Sequence, residues 1–338
     1  MSTLRNNWKS IIATAVLAAM LAGMCACGND DGEILQSGTG EVTVAGTTAP
    51  ATAETVSVAT EIVTETEATT VATTEVTTTE TTVTTTAPPA VTVQRPSYYP
   101  QLSYSQSELE AMDNTKYGWG QGYNVDSLNR PTSCTSWQNK YGKYGAIYIM
   151  PETDAAYLTF DLGYEYGCTG KILDTLNEKG VKGTFFITMY YAKSAPDMVR
   201  RMVDEGHIVA NHSVNHKSMP GLSVAEMEQE IMELHNYIKE NFGYEMFLFR
   251  PPMGEHSVRS LAAAQNLGYK SVLWSYTYLD YDVNNQKPEA QALELCTKNA
   301  HKGAVYLLHG VSTTNAAILG DLIDYLNASG IGVASSWE

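Results

Sequence analysis

Ala156-Tyr157-Leu158-Thr159-Phe160-Asp161 is an apolar run that closes on a carboxylate. It reads as the first of a series of strands. Further candidate strands follow at 183–188, 207–211, 247–250, 270–275, 304–309 and 332–335. Helical stretches lie between them at 171–179, 197–205, 223–242, 257–266, 288–300 and 315–328. The helix ends carry their own signals. Ser223 precedes Glu226 as a capping box, and glycines such as Gly180 and Gly243 stand just past the last turn. Strands alternating with helices predict a parallel α/β fold, either a barrel or a doubly wound sheet.

Upstream the composition changes. Residues 97–154 are rich in aromatics and turns, as in Tyr117-Gly118-Trp119-Gly120, and are expected to pack on the main domain (155–338) as irregular chain. Residues 28–96 are dominated by Thr, Val, Ala, Glu and Pro. A segment so poor in long aliphatics and aromatics cannot offset its chain entropy, so a disordered stalk is expected. Residues 1–27 read as an export signal. Arg5 and Lys9 precede an uncharged apolar run at 11–24, shorter than the ~20 residues that span a bilayer. The run ends in Cys25-Ala26-Cys27, and a small residue before a cysteine suits a lipoprotein signal peptidase. Lipidation of Cys27 would hold the protein at the outer face of the membrane. The five cysteines include two in this leader, and Cys134, Cys168 and Cys296 match no disulfide or zinc framework. A formal net charge of -16 argues against a nucleic-acid partner, and a monomer is expected.

The polar residues concentrate where such folds build sites. Asp161, Arg250 and His309 close candidate strands, and His212, His216 and Asp280 follow them. All six fall at the C-terminal ends of strands, the face that carries active sites in α/β barrels. Each has a plainer reading. Asp161 could cap the next helix, Asp280 could be a solvated loop residue, and His309 could be a satisfied core histidine. Arg250 needs a partner if it is buried, and Asp161 would suit it. His212 and His216, spaced i and i+4, could share a metal. Pro220-Gly221 places them in a loop after a strand.

Thr159-Phe160-Asp161, His212-Ser213-x-x-His216, Arg250-Pro-Pro-x-Gly254, Asp280 and Leu307-Leu308-His309 resemble, in order and spacing, the five motifs of the polysaccharide deacetylases (carbohydrate esterase family 4). Gly163-Tyr164-Glu165, Asn284-Asn285-Gln286-Lys287 and Tyr117-Gly118-Trp119-Gly120 are similar to the delta-lactam-biosynthetic de-N-acetylases within that family. These act on N-acetylmuramic acid of peptidoglycan. The resemblance implies a distorted seven-stranded (β/α) barrel and a divalent metal, zinc or else Mn2+ or Co2+, on His212 and His216. It implies Asp161 as the base, Arg250 orienting it, His309 as the acid and Asp280 holding His309. The Met253 N–H would face an oxyanion, and Leu307 would line an acetyl pocket.

One position departs from the pattern. Most members place a second aspartate directly after the base as third metal ligand, and here Leu162 has no donor atom. A weakened metal site is expected, with Glu165 as a candidate replacement donor. The expected function is metal-dependent removal of N-acetyl groups from N-acetylmuramic acid in cell-wall glycan, outside the membrane. Two alternatives stand beside it: deacetylation of another acetylated glycan, such as N-acetylglucosamine or chitin oligomers, and a non-catalytic, metal-poor wall-binding module.

Overall fold

The computed structural model describes residues 104–150 and 153–337. The leader, Cys27 and the 28–96 stalk lie outside the described residues. Seven strands form one parallel sheet: β1 (Ala146–Ile147), β2 (Tyr157–Leu162), β3 (Thr184–Ile187), β4 (Ile208–Asn211), β5 (Leu248–Phe249), β6 (Lys270–Val272) and β7 (Val305–His309), in the order β1-β6-β5-β4-β3-β2-β7. The sheet curls into a distorted half-barrel. The chain leaving β6 leans back on the opposite edge, where Ser275 N–H donates to Val305 O at 2.9 Å and Leu307 N–H to Tyr276 O at 2.8 Å.

The helices in chain order are α1 (Gln106–Ala111), α2 (Thr132–Tyr141), α3 (Thr169–Glu178), α4 (Met189–Ser194), α5 (Pro196–Asp204), α6 (Val224–Phe242), α7 (Val258–Asn266), α8 (Glu289–Lys298) and α9 (Thr313–Ala328). The expected capping box forms on α6: the Ser223 hydroxyl accepts from Glu226 N–H, and the Glu226 carboxylate accepts from Ser223 N–H.

The pleat of each strand divides its side chains between two cores. Leu158, Phe160, Leu162, Phe185, Ile187 and Val209 face outward and pack with helix residues such as Ile172, Leu176 and Leu234. Tyr157, Phe186, Ala210, Leu248, Val272 and Val305 face into the curl, in a cluster that contains no helix residue. Arg250 is one step past Leu248-Phe249, so it falls on the inner face with Asp161 and His309. Leu162 falls on the outer one.

Two expectations need correcting. Residues 332–335 do not form a sheet strand and make only a single bridge, Ala156 to Val333. Gly330 and Gly332 both take positive φ there (71° each), a conformation an extended ladder does not accommodate. The seventh strand is β1 instead, inside the stretch expected to be irregular, which also holds α1 and α2. The apolar run Ala146-Ile147-Tyr148-Ile149-Met150, bounded by Gly145 and Pro151, is the sequence signal for β1, set among aromatic-rich and turn-rich surroundings.

Candidate functional site

Register brings the first two site residues together. β2 and β7 are parallel neighbours, and Asp161 is paired directly with His309 at their C-terminal ends. Asp161 is buried, and Arg250 Nη1 donates to its Oδ1 at 2.6 Å. Arg250 is fully buried and spends its other donors on the frame: Nε to Val272 O at 3.0 Å, and Nη2 to Thr159 Oγ1 at 2.8 Å and Leu273 O at 3.3 Å. Its guanidinium also lies 4.0 Å from the Phe186 ring centroid. Burial pulls the Asp161 pKa upward, but the charges of Arg250, His212 and His309 outweigh it and hold the carboxyl below its usual range.

The second pair is built from β7 and the loop before α8. His309 Nδ1 meets Asp280 Oδ1 at 2.7 Å, and the His309 N–H donates to Asp280 Oδ2 at 2.8 Å. Asn315 Nδ2 adds a third donor to Asp280 at 2.6 Å. Burial opposes the imidazolium of His309. Asp280 prevails, so the pKa of His309 lies above that of an ordinary histidine. Asp280 is buried rather than a solvated loop residue.

The histidine loop follows β4. His212 Nδ1 sits 2.9 Å from Arg250 O, so in the neutral ring Nδ1 carries the proton and Nε2 is bare. That Nε2 lies 3.5 Å from Asp161 Oδ2, and the His212 and His216 rings are 4.8 Å apart. Burial depresses both imidazoles, and His216 falls to about 3. Ser213 (φ 67°) and His216 (φ 54°) are both left-handed, a costly conformation for side chains of this kind. Glu230 of α6 braces the loop, accepting from Asn215 N–H at 2.7 Å and from Asn215 Nδ2 at 2.8 Å. Neither Glu230 nor Asn315 stood out in the sequence, because each sits inside a regular helical pattern and only tertiary packing aims it at the site.

The donor set does not fit a metal ion. A tetrahedral site draws on at least three protein donors. Asp161 accepts from Arg250 through Oδ1, while its Oδ2 stands 3.5 Å from His212 Nε2. Leu162 is buried on the outer face, packed over Gly310, where an added Cβ would stand 2.0 Å from Leu162 Cδ2. Glu165 is taken up elsewhere, accepting from Tyr191 OH at 2.9 Å and from Gly167 N–H at 2.5 Å. Among the described residues no group of three or more His, Cys, Asp or Glu side chains is arranged to hold a metal. The expected zinc (or Mn2+ or Co2+) on His212 and His216 is therefore overturned, even as a weakened site. With it falls the expected metal-dependent N-deacetylation of muramic acid. Arg250 with Asp161, and Asp280 with His309, can hold a carboxylate and a proton on either side of a carbonyl.

These residues open on a cavity of about 710 Å³. Asp161, His212, His216, Met253, Leu307 and His309 all line it. Met253 is left-handed (φ 59°) on the turn after Pro252. Asp280 and Arg250 stand behind the wall. The other wall is the extension, from Gly118 to Pro131. It is fixed by Trp119 Nε1 donating to Trp274 O at 2.8 Å.

A polysaccharide deacetylase family model matches residues 150–272. Over 231 residues the chain is 40% identical to a 30.6 kDa protein of Geobacillus stearothermophilus, covering 68% of this chain and 87% of that one. It is 36% identical to the peptidoglycan-N-acetylmuramic acid deacetylase PdaA of Bacillus subtilis, over 68% of this chain and 88% of PdaA. The PdaA structure, described as a family 4 carbohydrate esterase, matches with a TM-score of 0.61 over 65% of this chain and 94% of that chain. The fold is also shared with a Bacillus anthracis protein described as a family 4 pseudoenzyme, at a TM-score of 0.53 and 23% identity over 56% of this chain and 66% of that chain. On these matches the chain belongs to the polysaccharide deacetylases of carbohydrate esterase family 4, a family of hydrolases, as a PdaA-like member.

Proposed function

We propose that this chain is a metal-poor member of the family that holds acetylated cell-wall glycan in its cavity without hydrolysing it. One observation carries the reading. The position that would complete a metal site is Leu162, buried against Gly310 and facing the helices, while the cavity beside it keeps its full polar rim. Retention of the two acid–base pairs does not require turnover. Arg250 and Asp161 are buried partners, and losing either leaves an uncompensated charge that costs about 3–5 kcal/mol. Asp280 likewise ties the His309 backbone to Asn315.

In this reading Asp161, His212, His216 and His309 form a polar cradle for the acetamide, with the Met253 N–H and Leu307 beside it. Residues 155–338 form the glycan-holding domain and 97–154 the extension that walls it. Export of the chain and a tether through lipidated Cys27 and residues 28–96 would place a single copy of this head at the wall. A second reading, hydrolysis of some other acetylated glycan, is favoured by the intact Asp280–His309 pair.

The two part in one experiment. Purified chain is incubated with acetylated, peptide-free glycan strands, and bound glycan and free acetate are measured in the same samples. Saturable binding with no acetate above the blank is expected. Acetate accumulating in excess of protein would replace the proposal with the second reading.

A further inference from the structure

The cavity extends well beyond the acid–base rim. Its volume of about 710 Å³ lies in the upper part of the range for sites that enclose a drug-sized ligand, more than a single acetamido sugar fills. The additional space is bounded by the extension. Of the six large hydrophobic side chains that stand exposed among the described residues, three line this cavity (Tyr123, Val125 and Leu279), and a fourth, Leu128, shares the same loop. Singly scattered apolar side chains need no explanation, but a cluster at the mouth of a cleft marks a binding surface.

Tyr123 is the fullest case, because its ring is entirely exposed. The exposure does not come from a loose loop, since the backbone is tied on both sides. Before it, Gln121 donates through Nε2 to Thr277 O at 3.2 Å, accepts from Trp274 Nε1 at 3.1 Å, and receives the Ser133 hydroxyl on its carbonyl. After it, Asn124 O accepts from Thr132 N–H at 2.9 Å. Further along, Asn129 Nδ2 reaches Lys298 O at 3.0 Å and Ala300 O at 2.9 Å, closing the loop onto the end of α8. The fold thus presents a bare aromatic face on a fixed support.

We propose that Tyr123, with Val125 and Leu279, forms a distal sugar platform, so that the cavity takes a linear acetylated glycan of several residues rather than one terminal sugar. The inference rests on the glycan-binding reading above and deepens it. An aromatic face complements the C–H face of a pyranose ring, and the phenol hydroxyl remains free for water or a sugar hydroxyl. Continuity with the rim sets the direction: the strand would run from the acetamide cradle at His309 toward the extension.

The test compares wild-type chain with Tyr123→Ala and Tyr123→Phe. Isothermal titration measures binding of acetylated, peptide-free glycan as a disaccharide and as a hexasaccharide. The expected result is a fall of about tenfold in the hexasaccharide-to-disaccharide affinity ratio for Tyr123→Ala, from loss of the stacked face. Tyr123→Phe should keep most of the ratio. Because the ring makes no packing contact to lose, thermal unfolding of both variants should match wild type. An unchanged ratio in Tyr123→Ala would overturn the platform while leaving glycan binding intact. Failure of the wild-type chain to bind either oligomer would sink the glycan-binding reading, and this inference with it.

Discussion

At the scale of single residues, the outcome turns on Leu162 and Gly310. The sequence showed that Leu162 has no donor atom. It could not show that the side chain is turned to the helix layer, nor that Gly310, across the β2–β7 pair, leaves the room Leu162 fills. That packing yields a prediction. Gly310→Ala places a methyl into the Leu162 side chain and should destabilise the fold by ~1–3 kcal/mol. Leu162→Ala on its own should cost ~2–5 kcal/mol through the cavity it leaves. If the two residues are in contact, the double variant should cost clearly less than the sum, as read by urea unfolding. Strict additivity would mean that Leu162 is not held against Gly310.

At the scale of elements, the strands were legible and their neighbours less so. Strands of four to six residues such as β2 and β7 announce themselves through continuous apolar runs, and α6 through its capping box. The helix α1 carries the same signal, a capping box from Ser105 to Glu108, and β1 lies in the apolar run 146–150, whereas the short helix α4 and the curl that brings residue 276 against residue 306 depend on tertiary contacts. The link between the extension and the turn carrying Met253 was equally hidden. His256 makes that link: its Nδ1 faces Gly254 O at 2.9 Å, and its Nε2 faces the Tyr148 hydroxyl at 2.8 Å. Tyr117 and His256 also exchange backbone hydrogen bonds at 2.8 and 2.9 Å.

Burial pushes His256 down to about 4, against about 6.5 in the unfolded chain. The unfolded state therefore binds the extra proton between these values. The contribution is fully present above pH ~6.5 and is lost as pH falls toward 4. Relative to neutral pH, the wild type should lose roughly 2 kcal/mol at pH 5 from this group alone. His256→Gln should be less stable at neutral pH and should show a correspondingly shallower decline. Parallel pH profiles of the two proteins in chemical unfolding would rule out a buried neutral His256.

At the scale of the molecule, a half-barrel keeps the polar rim and cavity of its family while the donor set for the metal is broken. The sequence marked the six residues at the strand ends because strand-final polar residues stand out against apolar runs. It could not tell which of them are satisfied within the protein. The structure ties Asp161 to Arg250 through one oxygen, Asp280 to His309 and Asn315, and Glu165 to Tyr191, and among the described residues no group of three donors forms around the two imidazoles. The most direct test is zinc retention. Purified chain is equilibrated with zinc, dialysed against metal-free buffer and assayed for metal content, beside a His212→Ala/His216→Ala variant. Wild type and variant should retain the same trace amount; stoichiometric zinc in the wild type, lost in the variant, would overturn the metal-poor reading.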